Sequence, residues 1–278
     1  ILKIFAHITY FSNNARLFWL LRRNAMRRIK LIVAYDGTEY SGWQIQPEAP
    51  TIEMYLDKAI RELTGENVHV TGASRTDAGV HAYGNVAVFD TESTIPGDRF
   101  TFALNRFLPD SIVIQDSWEV SVDFHPRHCN TRKTYEYRIL NTAVPLPQKR
   151  NFTWHVTGSI DIEKMKEAAA YIVGEHDFKS FCCVRTQAES TVRTIYSLEV
   201  LQEGSEIIIR IKGNGFLYNM VRIITGTLIQ VGKGRFKPEY VKQMLEAKDR
   251  TVAGQTAPPQ GLTLVGIEYV DNDDAKVV

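Results

Sequence analysis

Between residues 28 and 120, strand-like and helix-like segments follow one another in the order β-α-β-β-α-β, which restricts the chain to an α+β architecture. Residues 28–35 alternate, with Ile29, Leu31 and Val33 on one side, as a half-buried strand does. Thr51 then caps a helix in which Ile52, Tyr55, Leu56, Ala59, Ile60 and Leu63 recur at helical spacing, and Gly65 supplies its stop. Residues 68–73 and 85–90 read as two strands, followed by a short helix near 98–108 and a strand over 112–120. A second unit has the same rhythm. It holds a strand at 134–140 with Tyr135 and Tyr137 on one face, a loop at 145–147 and a helix at 160–173. A hairpin (192–201, 206–212) turning at Glu203-Gly204, a long apolar helix at 217–231, a helix opened by Pro238 and a strand at 262–270 complete it. No sequence repeat is evident, and strand order does not follow from one sequence.

The nonapeptide SRTDAGVHA, residues 74–82, falls between the two predicted strands and sets a lone carboxylate, Asp77, among an arginine and small residues. Ala78 and Gly79 leave room for a ligand at the backbone, and Gly79 admits positive φ. Arg75 and His81 are groups able to bind phosphate or an anionic sugar edge. An isolated Asp-Ala-Gly is ordinarily a turn closed on its own backbone. The full nonapeptide, however, resembles the catalytic loop of the tRNA pseudouridine synthase A family, usually written GRTDAGVHA. Ser74 stands where that family more often has glycine.

The resemblance runs in order across residues 26–270. It continues in YDGTEYSGWQIQ (35–46), FHPRHCNTRKTYEYRI (124–139), HDFKSFCC (176–183) and STVRTIYSLEV (190–200), then in GNGFLYNMVRIITGTLIQVGKG (213–234) and TAPPQGLTLVGIEY (256–269). It implies two related α+β halves, 26–132 and 133–278, whose antiparallel sheets join around a central catalytic cleft. Residues 1–25 lie outside the likeness and read as an upstream extension. The implied reaction converts uridine to pseudouridine at positions 38, 39 and 40 of the tRNA anticodon stem-loop, carried out by a homodimer. Isomerisation involves no net oxidation, reduction or hydrolysis, so no cofactor and no metal are expected.

By the same resemblance Asp77 is the catalytic carboxylate, Arg222 its partner and Tyr135 the aromatic residue against the target base. A carboxylate is competent to attack C1′, to add at C6 or to assist elimination, and the sequence does not choose among these. On pattern alone Arg222 either faces solvent from an amphipathic helix or is buried against an anion, with nothing to separate the two. Tyr135 and Tyr137 alone would pass as ordinary strand residues, and Tyr137 is read as one. Leu262 or Leu264 closes the apolar wall, with Leu264 preferred. Asp36, in an Asp-Gly turn, and the adjacent pair His176 and Asp177 are assigned to structure.

The formal net charge is only +1, so affinity for RNA must come from uneven placement of the 33 Lys and Arg residues. Arg75, Arg127, Arg132 and Lys133 are the expected phosphate contacts. A second basic group, Lys233, Arg235 and Lys237, carries less weight, and acidic residues gather at Glu268, Asp271, Asp273 and Asp274. Cys129, Cys182 and Cys183 offer no disulfide framework or zinc spacing, which points to a reducing compartment, the cytoplasm. The apolar runs of residues 1–25 are too interrupted to span a bilayer. Two other readings compete: a synthase of the same superfamily acting on other tRNA uridines, and a non-catalytic α+β module that stacks RNA on aromatic residues.

Overall fold

A computed structural model describes residues 26–183 and 189–270; the expectations for residues 1–25 and for Asp271, Asp273 and Asp274 lie outside them. The described residues form ten strands in one mixed sheet. They are β1 (Arg27–Tyr35), β2 (Thr71–Gly72), β3 (His81–Thr91), β4 (Ile112–Val120), β5 (Thr131–Leu140), β6 (Trp154–His155), β7 (Gly174–Asp177), β8 (Val192–Glu203), β9 (Glu206–Gly213) and β10 (Leu262–Tyr269). The helices are α1 (Ile52–Thr64), α2 (Phe100–Leu104), α3 (Ile162–Ala170), α4 (Met220–Gly232) and α5 (Tyr240–Ala247). The strand order is β4-β1-β3-β10-β5-β9-β8-β7, with β2 beside β3 and β6 beside β5.

The last strand holds the middle of the sheet. β10 pairs antiparallel with β5 and, over Thr263–His81 and Leu264–Ala82, parallel with β3. β10 thus joins the two groups of strands expected from the sequence. This also explains why β3 and β5 begin earlier than their alternation suggests: His81 and Ala82 find partners in Thr263 and Leu264, and Thr131 finds one in Tyr269.

Local signals set the helices. Thr51 Oγ1 accepts the Met54 N–H, Gly65 takes φ 76°, and Ile52, Leu56, Ala59 and Ile60 form the buried stripe of α1. The expected strand at 68–73 contracts to β2 because Asp57, on α1, takes the Val70 N–H at 2.9 Å and His69 at 2.7 Å. α4 starts at Met220 and not at 217, since Asn219 adopts φ 62°. In α4 all residues but Arg222 and Gln230 are buried, and Arg222 is its one charge. A continuous core packs α1, α3 and α4 on the sheet through Ile29, Leu31, Leu56, Ala168, Ile209 and Leu228. β6 and β7 escaped the sequence reading because one has two residues and the other, GEHD, has no apolar alternation.

Candidate active site

The loop from Ser74 to Val80 is pinned on both sides. The Trp43 N–H donates to Thr76 O at 3.0 Å, and the Gly79 N–H to Tyr40 O at 3.2 Å. Gly42 has φ 96°, and a Cβ there would stand 2.6 Å from Thr76 O, so only glycine lets the two segments lie this close. Below the loop the Tyr35 hydroxyl bonds Thr76 Oγ1 at 2.8 Å, and Asn85 Nδ2 donates to Ser74 O at 2.9 Å. These bonds satisfy buried polar groups and leave the Asp77 side chain directed into a cleft of about 1060 Å³.

Arg222 reaches Asp77 from α4, next to Asn219, Met220 and Val221, which line the cleft. Its Nη1 donates to Asp77 Oδ2 at 3.1 Å and to Asn219 Oδ1 at 2.8 Å, while Nε donates to Ala257 O at 2.8 Å. The Ala257 N–H in turn donates to Arg222 O at 3.1 Å. The guanidinium therefore reaches the carboxylate in a fixed orientation. The two side chains are 15% and 23% exposed, which decides the question the helix pattern left open. Burial raises the Asp77 pKa above its ordinary 3.8, and the neighbouring Arg222 only partly offsets that rise. The pair consequently holds a carboxylate whose negative charge is less comfortable than in water.

Tyr135 lines the cleft and is buried, its hydroxyl 2.8 Å from Ser74 Oγ and its ring edge-on to Phe216 at 5.1 Å. Burial first, and the charge of Asp77 besides, push its phenol up to about 12, while the Ser74 bond works the other way. The resting phenol is neutral. Tyr137 belongs to the core, with its hydroxyl donating to Pro258 O at 2.7 Å.

Of the expected contact residues, Arg75, Arg127 and Lys133 line the cleft with Asp77 and Tyr135. Three others stand elsewhere. His81 is buried, with Nδ1 accepting the Gly37 N–H and Nε2 donating to Asn151 O. Arg132 is exposed and lies 5.3 Å from the Tyr196 ring. Leu264 is fully buried because β10 runs between β3 and β5, and Leu262, at the start of that strand, lines the cleft in its place. Arg193, Phe216, Tyr218 and Asn219 also line it and escaped the sequence reading. The aromatic spacing around Asn219, directly before the one charged turn of an apolar helix, was the available signal.

The residues assigned to structure are engaged in it. Asp36 Oδ1 accepts from the Thr38 N–H and hydroxyl at 3.0 and 2.6 Å. His176 Nε2 donates to Val173 O, and Asp177 is held by Thr191 and Lys248. Among the described residues no group of three or more His, Cys, Asp or Glu could hold a metal ion, and no helix is long and apolar enough to cross a membrane.

Helix α4 and the segment carrying Ala257 touch at Gly226, where a Cβ would come within 1.8 Å of Gln255 O. Gly226→Ala is expected to push residues 255–257 outward, costing about 1–3 kcal/mol of stability. Because Ala257 O orients Arg222, the same substitution should slow single-turnover catalysis. Thermal unfolding and rapid-quench rates on one preparation check both effects.

The cleft joins a half-buried carboxylate, a clamped guanidinium and a neutral tyrosine under a basic rim. The chain belongs to the tRNA pseudouridine synthase family, whose model matches residues 31–128 and 168–270. It is similar to tRNA pseudouridine synthase A of Thermoanaerobacter sp. (strain X514), with 49% identity over 244 residues, 88% of this chain and 100% of that protein. The protein of the same name from Ruminiclostridium cellulolyticum is 51% identical over 245 residues, again 88% and 100% of the two chains. Among solved structures, a chain of a Cbf5-Nop10-Gar1 complex aligns with a TM-score of 0.30 at 13% identity, over 84% of this chain and 56% of that one, too remote to carry an argument.

Proposed function

We propose that this protein isomerises uridine to pseudouridine in tRNA, at positions 38, 39 and 40 of the anticodon stem-loop, with Asp77 as the catalytic carboxylate. The observation that carries the reading is the contact of Arg222 Nη1 with Oδ2 of Asp77, which lines the same cleft as Tyr135. In the reaction the N1–C1′ bond breaks, C1′ bonds to C5, the proton on C5 departs and N1 gains one. Asp77 supplies the negative charge at the separating sugar and base. Arg222 keeps that carboxylate ionised and aimed, and Tyr135 forms the flat wall against which an extruded pyrimidine rests. Leu262 closes the apolar side.

The target base of a stem is reached only by extrusion, which suits a cleft of this volume with cations on its rim. Arg75, Arg127 and Lys133 contact phosphates. Asp77 comes from the half 26–132 and Arg222 and Tyr135 from the half 133–278, and by resemblance to its family the enzyme works as a homodimer in the cytoplasm. Its cysteines Cys129, Cys182 and Cys183 are free.

Tritium release tests the reading, because forming the C5–C1′ bond expels the hydrogen on C5. A tRNA labelled at C5 of its uridines should release tritium with no added metal or cofactor. The same tRNA with cytidine at 38, 39 and 40 should release none. Release from both would move the target to other uridines. Raising salt should weaken binding, by roughly 0.7 to 0.9 log units per tenfold salt for each phosphate neutralised.

A further inference from the structure

Two cations of the cleft are anchored to neighbouring carbonyls of the strand that leads into the Asp77 loop. Arg127 Nε donates to Gly72 O at 2.6 Å, and Lys133 Nζ donates to Ala73 O at 2.9 Å. Arg193 joins them from β8, its Nη1 donating to Ser190 O and Val192 O at 2.9 and 2.6 Å. All three line the cleft. Among the described residues none of them forms an ion pair with a carboxylate. Glu53, the acid whose charge reaches Arg127, instead accepts the Ile45 N–H at 2.9 Å.

We propose that Arg127, Lys133 and Arg193 form a single subsite for one backbone phosphate adjoining the target uridine. The inference rests on the RNA-modifying function proposed above and adds Arg193, a residue the sequence analysis did not single out. A phosphodiester carries one charge on two free oxygens; Arg127, with its Nε tied, presents its terminal nitrogens as a fork suited to them, and Arg193, with Nη1 tied, adds its second terminal nitrogen. Burial together with Arg127 and Arg193 pushes Lys133 down to about 8, and burial lowers Arg127 and Arg193 as well. An anion among them relieves the penalty that Arg127 and Arg193 place on Lys133.

The test measures binding of an anticodon stem-loop RNA in which each linkage near the target uridine is replaced in turn by a neutral methylphosphonate. Wild type is compared with Arg193→Gln and Lys133→Gln. At one linkage the neutral group should weaken wild-type binding about tenfold, and each variant should bind the unmodified RNA about tenfold more weakly. At that linkage the two losses should not multiply, and the variants should hold the substituted RNA as tightly as wild type does, which also shows them folded. Losses that multiply independently at every linkage would overturn the subsite and leave the function reading intact. A wild type that binds no stem-loop RNA would remove both.

Discussion

Asp77→Asn is expected to bind tRNA within a few-fold of wild type and to lower the single-turnover rate by at least about 10⁴-fold, the scale on which loss of a reacting group registers. The substitution keeps the shape of the side chain and the contact distance to Arg222 while removing the charge. It should not destabilise the fold. The Asp77 pKa is raised in the native state, so native protein binds its proton more tightly than unfolded chain does. Stability from this group is then lost as pH rises from the ordinary 3.8 through the raised native value. At neutral pH wild type bears that penalty and the asparagine variant does not. Thermal unfolding at pH 4 and pH 7 should show a smaller difference between the two pH values for Asp77→Asn than for wild type.

Arg222→Gln should cost about 10²- to 10³-fold in rate, the usual scale for removing one aimed charge from a reacting centre. Its second signature is the pH profile. The proposed role of Asp77 requires its ionised form, so the rate is expected to fall on the acid side at a pH above 3.8. Without Arg222, which lowers the Asp77 pKa, that fall should begin at a higher pH. Arg222→Lys keeps the charge and loses the fork that serves Asp77, Asn219 and Ala257 together, so it should lie between the two. A rate loss with no movement of the acid limb would assign Arg222 to substrate positioning alone.

Much of the fold was legible because its signals are local. Thr51 and Gly65 bracket α1 where their chemistry requires, and the strands read at 28–35 and 112–120 match the ends of β1 and β4 to within a residue. What remained hidden depends on contacts distant in sequence. β3 and β5 are lengthened by β10, whose place between them cannot be read from any window of residues, and this also hides Leu264 and brings Leu262 to the cleft. The basic segment around Arg127 shows the same limit. Arg127 and Lys133 turn into the cleft, whereas Arg132, one residue away on an alternating strand, points out to Tyr196. Ser74 stood out only as a departure from the family's usual glycine, and its hydroxyl meets that of Tyr135 at 2.8 Å. The encounter of Asp77 with Arg222, 145 residues apart, was anticipated by family resemblance and not by pattern.

The most direct test of the role given to Asp77 is pseudouridine content of an unmodified tRNA after a single turnover, with wild type or Asp77→Asn in excess and no added metal or cofactor. Binding is measured in the same samples. Conversion of uridine at 38, 39 or 40 by wild type, with bound but unconverted tRNA on the variant over the same time, is the predicted result. Conversion by Asp77→Asn at the wild-type rate would contradict it and place the chemistry on another group of the cleft.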